Sequence, residues 1–410
     1  MSGAAEQTRT QESLPVYPFG EWGDRLSPWY ARLCVEEAAA HRVRTLNGDT
    51  VWLVTRHAVA RAVLADPRMS LRAAGTESAP RQQRVRFCPA GGAGTPGPFF
   101  DDPVLRTVVQ QALSPREVRA RTAAVTSAAH RFFAALGRRP RGERETDWNE
   151  GIVRPLSYRL TGRLLFGELP DSVRDELRAA FQVGLTFHGH PDTAVRAAWD
   201  KFHAVLADWY ADPAHLAGDH LMARLARAAG EAVDPAGLAA MAGPLWCAGH
   251  EASVGFLTNI LPVLDGNPEL RAALRASEAS VPRITEELLR VTPLVTGGAP
   301  RVAMEDAVIA GIPVKRGECV VVSYEAANRD PRAFPDPERP EPRRAGPGHL
   351  AFGHGPHRCP GQHLARLEID VVLRAIRVHT PGLRPAVPVG DVRWRSGSVV
   401  RTPHALPVVW

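Results

Sequence analysis

The stretch AFGHGPHRCPGQHLARLE, residues 351–368, governs how the rest of the chain is read. It places His354, His357, His363 and Cys359 among glycines and prolines, just ahead of an amphipathic helix. Three readings compete: a zinc site built from those four side chains, a catalytic thiol at Cys359, and a lone thiolate on haem iron. Structural zinc needs four closely grouped N or S ligands, whereas the glycines and prolines make an extended loop and His363 falls on the helix beyond it. One sulfur on a tight loop suffices for haem, with Gly353, Gly355 and Gly361 letting the backbone approach closely. The helix N-terminus after Gly361 would stabilise a negative sulfur.

The chain has 410 residues, enough for a large core, with 44% hydrophobic and 23% charged residues, the balance of a globular protein. Residues 1–15 lack the apolar run of a signal peptide and are expected to be a disordered tail before one domain at 16–410. No later run reaches the roughly 18 apolar residues of a membrane span, so a cytoplasmic protein is expected, with no membrane association. Cys34, Cys88, Cys247, Cys319 and Cys359 are odd in number and scattered, which argues against a disulfide framework and a thiolate-rich zinc module. The net charge of +6 is almost wholly arginine, since Lys201 and Lys315 are the only lysines. The densest basic run, GRRPRGER at 137–144, has no interleaved aromatics, so it reads as a solvated loop and not a nucleic-acid stripe. A basic face can instead steer an acidic protein partner.

Helical periodicity dominates residues 105–290, as in TAVRAAWDKFHAVLADWYA at 193–211, and strand patterns are few. An Asn-Gly-Asp turn joins two alternating runs at 41–55, and further strands are expected at 306–323 and near the C-terminus. The fold class is therefore mainly α with small β-sheets. One helix, from Asp234 and Pro235 to a Gly-Asn-Pro stop at 266–268, is apolar almost all round, so it belongs in the middle of the domain. His250, Glu251 and Ser253 within it are either a satisfied core network or functional groups. The segment 79–100 reads as a surface loop able to cover a site.

Phe352, Gly355, Cys359 and Gly361, in the spacing FxxGxxxCxG, resemble the haem-thiolate signature of the cytochrome P450 superfamily. Glu287-Leu-Leu-Arg290 is similar to its ExxR pair, and AANRDPRAFPDPERP at 326–340 to the meander that would bring Arg339 against that pair. The resemblance runs from about Tyr17 to Trp410. It implies a single-domain P450 fold with the long buried helix over haem b, Cys359 as the iron ligand and Phe352 near the sulfur. It further implies Arg301, His357 and Arg106 at the propionates, and Ala248 and Gly249 beside the cofactor. His354 and His363 are then surface or supporting residues.

Two positions depart from the family pattern. Where relatives carry His-x-x-x-Arg, this chain has Asp102-Pro-Val-Leu-Arg106; an Asp would repel a propionate, so Asp102 is expected to turn away or bond Arg106. The long helix reads Ala248-Gly249-His250-Glu251-Ala252-Ser253, with alanine where the proton-relay hydroxyl usually stands. Ser253 lies about 100° further round the helix and cannot simply replace it, which leaves Glu251 as candidate acid.

The lost hydroxyl at Ala252, the Cys-Pro-Gly loop, SYEAANRDP and the C-terminal SGSVVRTPHALPVVW together resemble a bacterial branch that couples aromatic natural products. The implied function is oxidative C–C or C–N coupling, dimerisation included, of a small aromatic substrate such as an indole-bearing diketopiperazine or a polyphenol. A conventional hydroxylase or epoxidase of secondary metabolism is the alternative, and a non-catalytic haem-binding sensor a remote one. Distal-pocket candidates are 79–100, 181–187, Leu245, Ala248, 294–297 and 396–399. With no flavin, nicotinamide or iron–sulfur domain, the chain needs electrons from NAD(P)H through a ferredoxin and its reductase. An acidic ferredoxin would dock around the ligand loop near Arg106, Arg358 or Arg366.

Overall fold

The computed structural model describes residues 14–20, 23, 25–76, 78–85, 102–230 and 233–410. Residues 1–13 of the expected tail lie outside this set. Pro15 is already tied in, its carbonyl accepting from Arg44 N at 3.0 Å. Helices make up most of the chain, as the periodicity predicts. Strands β1 (Val16–Tyr17), β2 (His41–Thr45), β3 (Thr50–Val54), β4 (Met69–Ser70), β5 (Ala299–Ala303) and β6 (Cys319–Val322) form one sheet in the order β1-β2-β3-β6-β5-β4.

The predicted hairpin is β2–β3, antiparallel with Val43 opposite Val51, and Gly48 supplies φ +93° in its turn. β6 joins β3 in parallel and β5 antiparallel, which sets Arg301 opposite Val320. Arg301 is thereby held on the wall of a buried sheet rather than on a loop.

The long helix spans 235–265 and is not uniform: Pro235–Leu245 and Ala252–Asp265 are α, but Trp246–Glu251 is wound as a π segment. Pro244, which has no N–H to donate, lies just before the rewound turn. Such turns are rare and often mark functional sites, because they redirect side chains. Buried side chains fix its C-terminal half: Trp148 Nε1 donates to Leu257 O at 3.0 Å, and Asn259 Nδ2 donates to Pro293 O at 2.9 Å and Arg401 O at 2.8 Å. Trp148, Trp199 and Trp246 are essentially fully buried around this helix, and each large apolar side chain removed from water stabilises the fold by about 1.5–3 kcal/mol.

The Glu287–Arg290 pair is present, buried and bidentate, with Nη2–Oε1 2.8 Å and Nε–Oε2 2.9 Å. The second guanidinium is not the expected one. Arg344 Nε donates to Glu287 Oε1 at 3.1 Å, whereas Arg339 is exposed and pairs with Glu269 at 3.0 Å. The irregular meander has no period from which to count, so which arginine turns inward is settled only by packing. Among the described residues no helix is long and apolar enough to cross a membrane.

Candidate functional site

The cysteine loop is a compact turn ahead of the Gln362–His379 helix, closed by Cys359 N donating to Phe352 O at 2.9 Å. Gly353 and Gly355 have φ of +70° and +72°. At Gly355 a Cβ would stand 2.6 Å from Leu64 O, so this glycine lets the loop lie against the His57–Ala65 helix. Burial pushes the Cys359 thiol up, while the N–H groups of Gly361 and Gln362 and the Arg366 and Arg358 guanidiniums pull the other way. Cys34 and Cys319 are buried thiols raised to about 11 and about 12. Cys88 lies outside the described residues.

Arg366 stacks over the Phe352 ring at 4.6 Å and is bidentate with Glu286, at 2.5 and 3.0 Å. His354 is half-buried and His363 exposed. Among the described residues no three His, Cys, Asp or Glu side chains group as a metal site, which removes the zinc reading.

Three nitrogen-bearing side chains gather beside this loop. Arg301 is buried, donating to Pro300 O at 2.9 Å, and burial lowers its pKa. His357 is lowered by burial and by the charges of Arg301 and Arg106. Arg106 donates to Pro356 O at 3.2 Å. Among the described residues no carboxylate pairs with Arg301, although a buried guanidinium is costly without one. The site therefore suits a dianionic ligand. Asp102 neither faces this group nor bonds Arg106: it caps the Pro103–Ala112 helix, accepting from Val104 N at 2.7 Å and Leu105 N at 3.1 Å.

On the long helix, accessible surface centres on Ala248, which is exposed, with Pro244, Cys247, Gly249, Ala252 and Ser253 half-buried around it. Near four-residue spacing keeps Pro244, Ala248 and Ala252 roughly in line, and these three carry nothing larger than a proline ring and two methyls, room for a flat ligand. Gly249 turns from that face. A Cβ there would stand 2.7 Å from Leu165 Cδ1, so a larger residue would have to push that leucine end aside.

Glu251 is buried, accepting from Arg154 Nη1 at 2.7 Å and Trp246 Nε1 at 3.2 Å. Burial raises its pKa, but Arg154 and His250 outweigh that and hold the carboxyl below its usual range. Arg154 also pairs with Glu150 at 3.6 Å, and Glu150 with Arg178 at 2.5 Å, a charge chain reaching the Asp171–Gly184 helix. No sequence signal announced Arg154, because its partner is 97 residues away.

Ser253 lies near Glu368 of the Gln362–His379 helix, which accepts from Thr161 Oγ1 at 3.4 Å. Burial raises Glu368 to about 7, only partly offset by the hydroxyls of Ser157, Ser253 and Thr161. His250, stacked edge-on against Tyr158 and Trp246, is lowered by burial to about 4.

These two groups give stability slopes of opposite sign. His250 binds its proton in the unfolded chain from pH 6.5 downward but in the fold only near 4, so its contribution falls as pH drops across that window. Glu368 keeps its proton in the fold up to about 7 against 4.5 unfolded, so its contribution falls as pH rises across that window. Denaturant midpoints against pH should show His250→Phe flattening the acid limb and Glu368→Gln flattening the rise of ionisation cost toward neutrality.

The distal candidates converge in part. Phe187 N donates to Gly397 O at 2.6 Å, Val399 N to Leu185 O at 3.1 Å and Thr296 N to Val399 O at 2.8 Å, joining three of the predicted segments. Of the 79–100 loop, residues 86–100 lie outside the described set. Gln82, within it, is buried, donates from Nε2 to Gly298 O at 3.1 Å and has no partner for Oε1.

A family model for cytochrome P450 matches residues 279–377, which include the Glu287–Arg290 pair and the cysteine loop. Over 414 residues, 98% of this chain and all of the relative, the sequence is 36% identical to nocardicin C N-oxygenase of Nocardia uniformis subsp. tsuyamanensis. The chain belongs to the cytochrome P450 family. This P450 is also 31% identical to the mycinamicin IV hydroxylase/epoxidase of Micromonospora griseorubida, over 96% of this chain and 98% of that one. Among solved structures it superposes on cytochrome P450mel 107F1, described as having biaryl coupling reactivity, with a TM-score of 0.80, 29% identity and coverage of 95% and 98% of the two chains. It is thus an oxidoreductase whose cofactor is haem with an axial thiolate, and which takes its electrons from external redox partners. The nitrogen cluster at Arg301 and the small-residue stripe at Ala248 fit that group.

Proposed function

We propose that this P450 oxidatively couples an aromatic substrate of natural-product biosynthesis, an indole-bearing diketopiperazine or a polyphenol. The observation that carries the reading is the missing relay. On the long helix, position 252 is alanine, Ser253 sits near the buried Glu368, and Glu251 is held as an anion by Arg154. The relay position thus has no hydroxyl of its own, so a substrate that brings its own O–H or N–H donor is favoured. The unpartnered Gln82 Oε1, next to Gly297 and the Phe187 ring, would accept from such a donor.

Cys359 would hold the haem iron, with Arg301, Arg106 and His357 at the propionates. When bound, haem supplies the one-electron oxidising power. Overall, two Ar–H, O2, NAD(P)H and a proton give Ar–Ar, two waters and NAD(P)+. Similarity to a structure with biaryl coupling reactivity supports this reading, whereas similarity to an N-oxygenase and a hydroxylase/epoxidase supports single-oxygen insertion as the second reading. Product mass decides between them, after incubation with a surrogate ferredoxin, reductase and NADPH across indole cyclic dipeptides and polyphenols. Two substrates less two hydrogens is the expected product; one added oxygen and no dimer would overturn the proposal.

An acidic ferredoxin would dock at the cysteine loop. Of the three arginines expected there, Arg366 is already bound to Glu286, while Arg358 is exposed. Arg358→Glu should therefore slow reduction at low ionic strength by roughly ten-fold, and the difference should shrink as salt screens the pair. Stopped-flow reduction at two salt concentrations checks this; equal rates at low salt would place the docking face elsewhere.

A further inference from the structure

Tyr324 opens the short helix that Ser323 caps after β6, and its hydroxyl lies against the Arg301 guanidinium. The same hydroxyl lies 3.2 Å from where a Cβ of Gly353 would stand, and its ring feels the charge of Cys359. It is thus wedged between the buried arginine and the cysteine loop. Burial raises the phenol pKa above its usual value, so the group stays a neutral donor. Arg301 has no carboxylate among the described residues, and Asp102, where the family pattern has a histidine donor, is occupied by the cap of its own helix. Position 102 therefore offers no donor, while Tyr324 adds a hydroxyl beside Arg301.

We propose that the Tyr324 hydroxyl donates a hydrogen bond to the haem propionate that Arg301 neutralises, in place of the donor lost at position 102. This rests on Arg301 holding a propionate, and the test separates the two. A hydrogen bond to a charged group is among the stronger ones, and a buried carboxylate cannot recover it from water.

The experiment compares transfer of haem, and of haem dimethyl ester, from the holoprotein to apomyoglobin for wild type, Tyr324→Phe and Arg301→Gln. Wild type should retain haem longer than its ester. Tyr324→Phe should release haem roughly ten-fold faster than wild type yet release the ester at the wild-type rate, with an unchanged melting temperature of the apoprotein. The propionate bending band in resonance Raman spectra should shift in the same variant. If Arg301→Gln still discriminates haem from ester as wild type does, the propionate role of Arg301 fails and the tyrosine's with it. If Arg301→Gln loses the discrimination while Tyr324→Phe matches wild type with haem, the tyrosine proposal alone is overturned.

Discussion

Glu287→Ala should cost the protein roughly 3–5 kcal/mol, a large part of the 5–15 kcal/mol that holds a typical domain together. The reason is that one carboxylate answers four donors: Arg290 Nη2 at 2.8 Å, Arg290 Nε at 2.9 Å, Arg344 Nε at 3.1 Å and Glu341 N at 2.6 Å. Burial pushes the Glu287 pKa up, but these donors hold it below the usual range, so it remains an anion in the fold. Removing it leaves two buried guanidiniums facing each other without a counter-charge. Arg290 would keep only its carbonyl acceptors, Asn328 O at 3.0 Å, Pro337 O at 2.7 Å and Arg339 O at 3.4 Å. Arg344→Ala should be damaging as well, because that side chain also holds Arg339 O at 2.6 Å. Arg339→Ala should change little, since its partner Glu269 is exposed. Denaturant midpoints and the haem content of purified protein report both effects. Equal losses for Arg339 and Arg344 variants would show that the inward arginine is misassigned.

If the proposed coupling holds, Ala252→Thr should shift the products toward single-oxygen insertion. A threonine at 252 would put a hydroxyl on the same helix stripe as Ala248, the stripe that now ends in methyl groups. Positioned proton transfer is worth about 10²–10⁴ in rate, so even a partly effective hydroxyl should raise the fraction of product carrying one added oxygen by roughly ten-fold. Ala252→Val supplies the control, having the same branched shape and no hydroxyl. The valine variant should keep the wild-type product distribution at lower overall rate. The comparison uses product masses from one substrate in all three proteins. Identical distributions for the threonine and valine variants would mean that position 252 does not decide the outcome.

Both outcomes turn on contacts of different legibility. The cysteine loop could be read directly, because its glycines, prolines and following helix act through local backbone geometry within a few residues of Cys359. The Glu287–Arg290 pair was equally legible, since three residues along a helix place the two side chains on one face. Arg344 was not: five positions separate it from Arg339, both lie in an irregular segment, and only packing selects the one that turns inward. Asp102 was recognised as a departure, but its use as a helix cap depends on where the Pro103–Ala112 helix begins.

The sequence by itself determined the helical class, the hairpin at 41–55, the buried helix ending at Gly266-Asn267-Pro268, the cysteine loop and the absence of a hydroxyl at position 252. Each follows from periodicity, turn residues or the identity of one side chain. The tertiary structure decided that Glu251 is held by Arg154, that Ser253 lies near Glu368, that the helix rewinds at Trp246–Glu251 and that Tyr324 meets Arg301. These depend on side chains brought together from distant parts of the chain, where no local spacing fixes the partner and burial makes the choice of partner decide each group's charge.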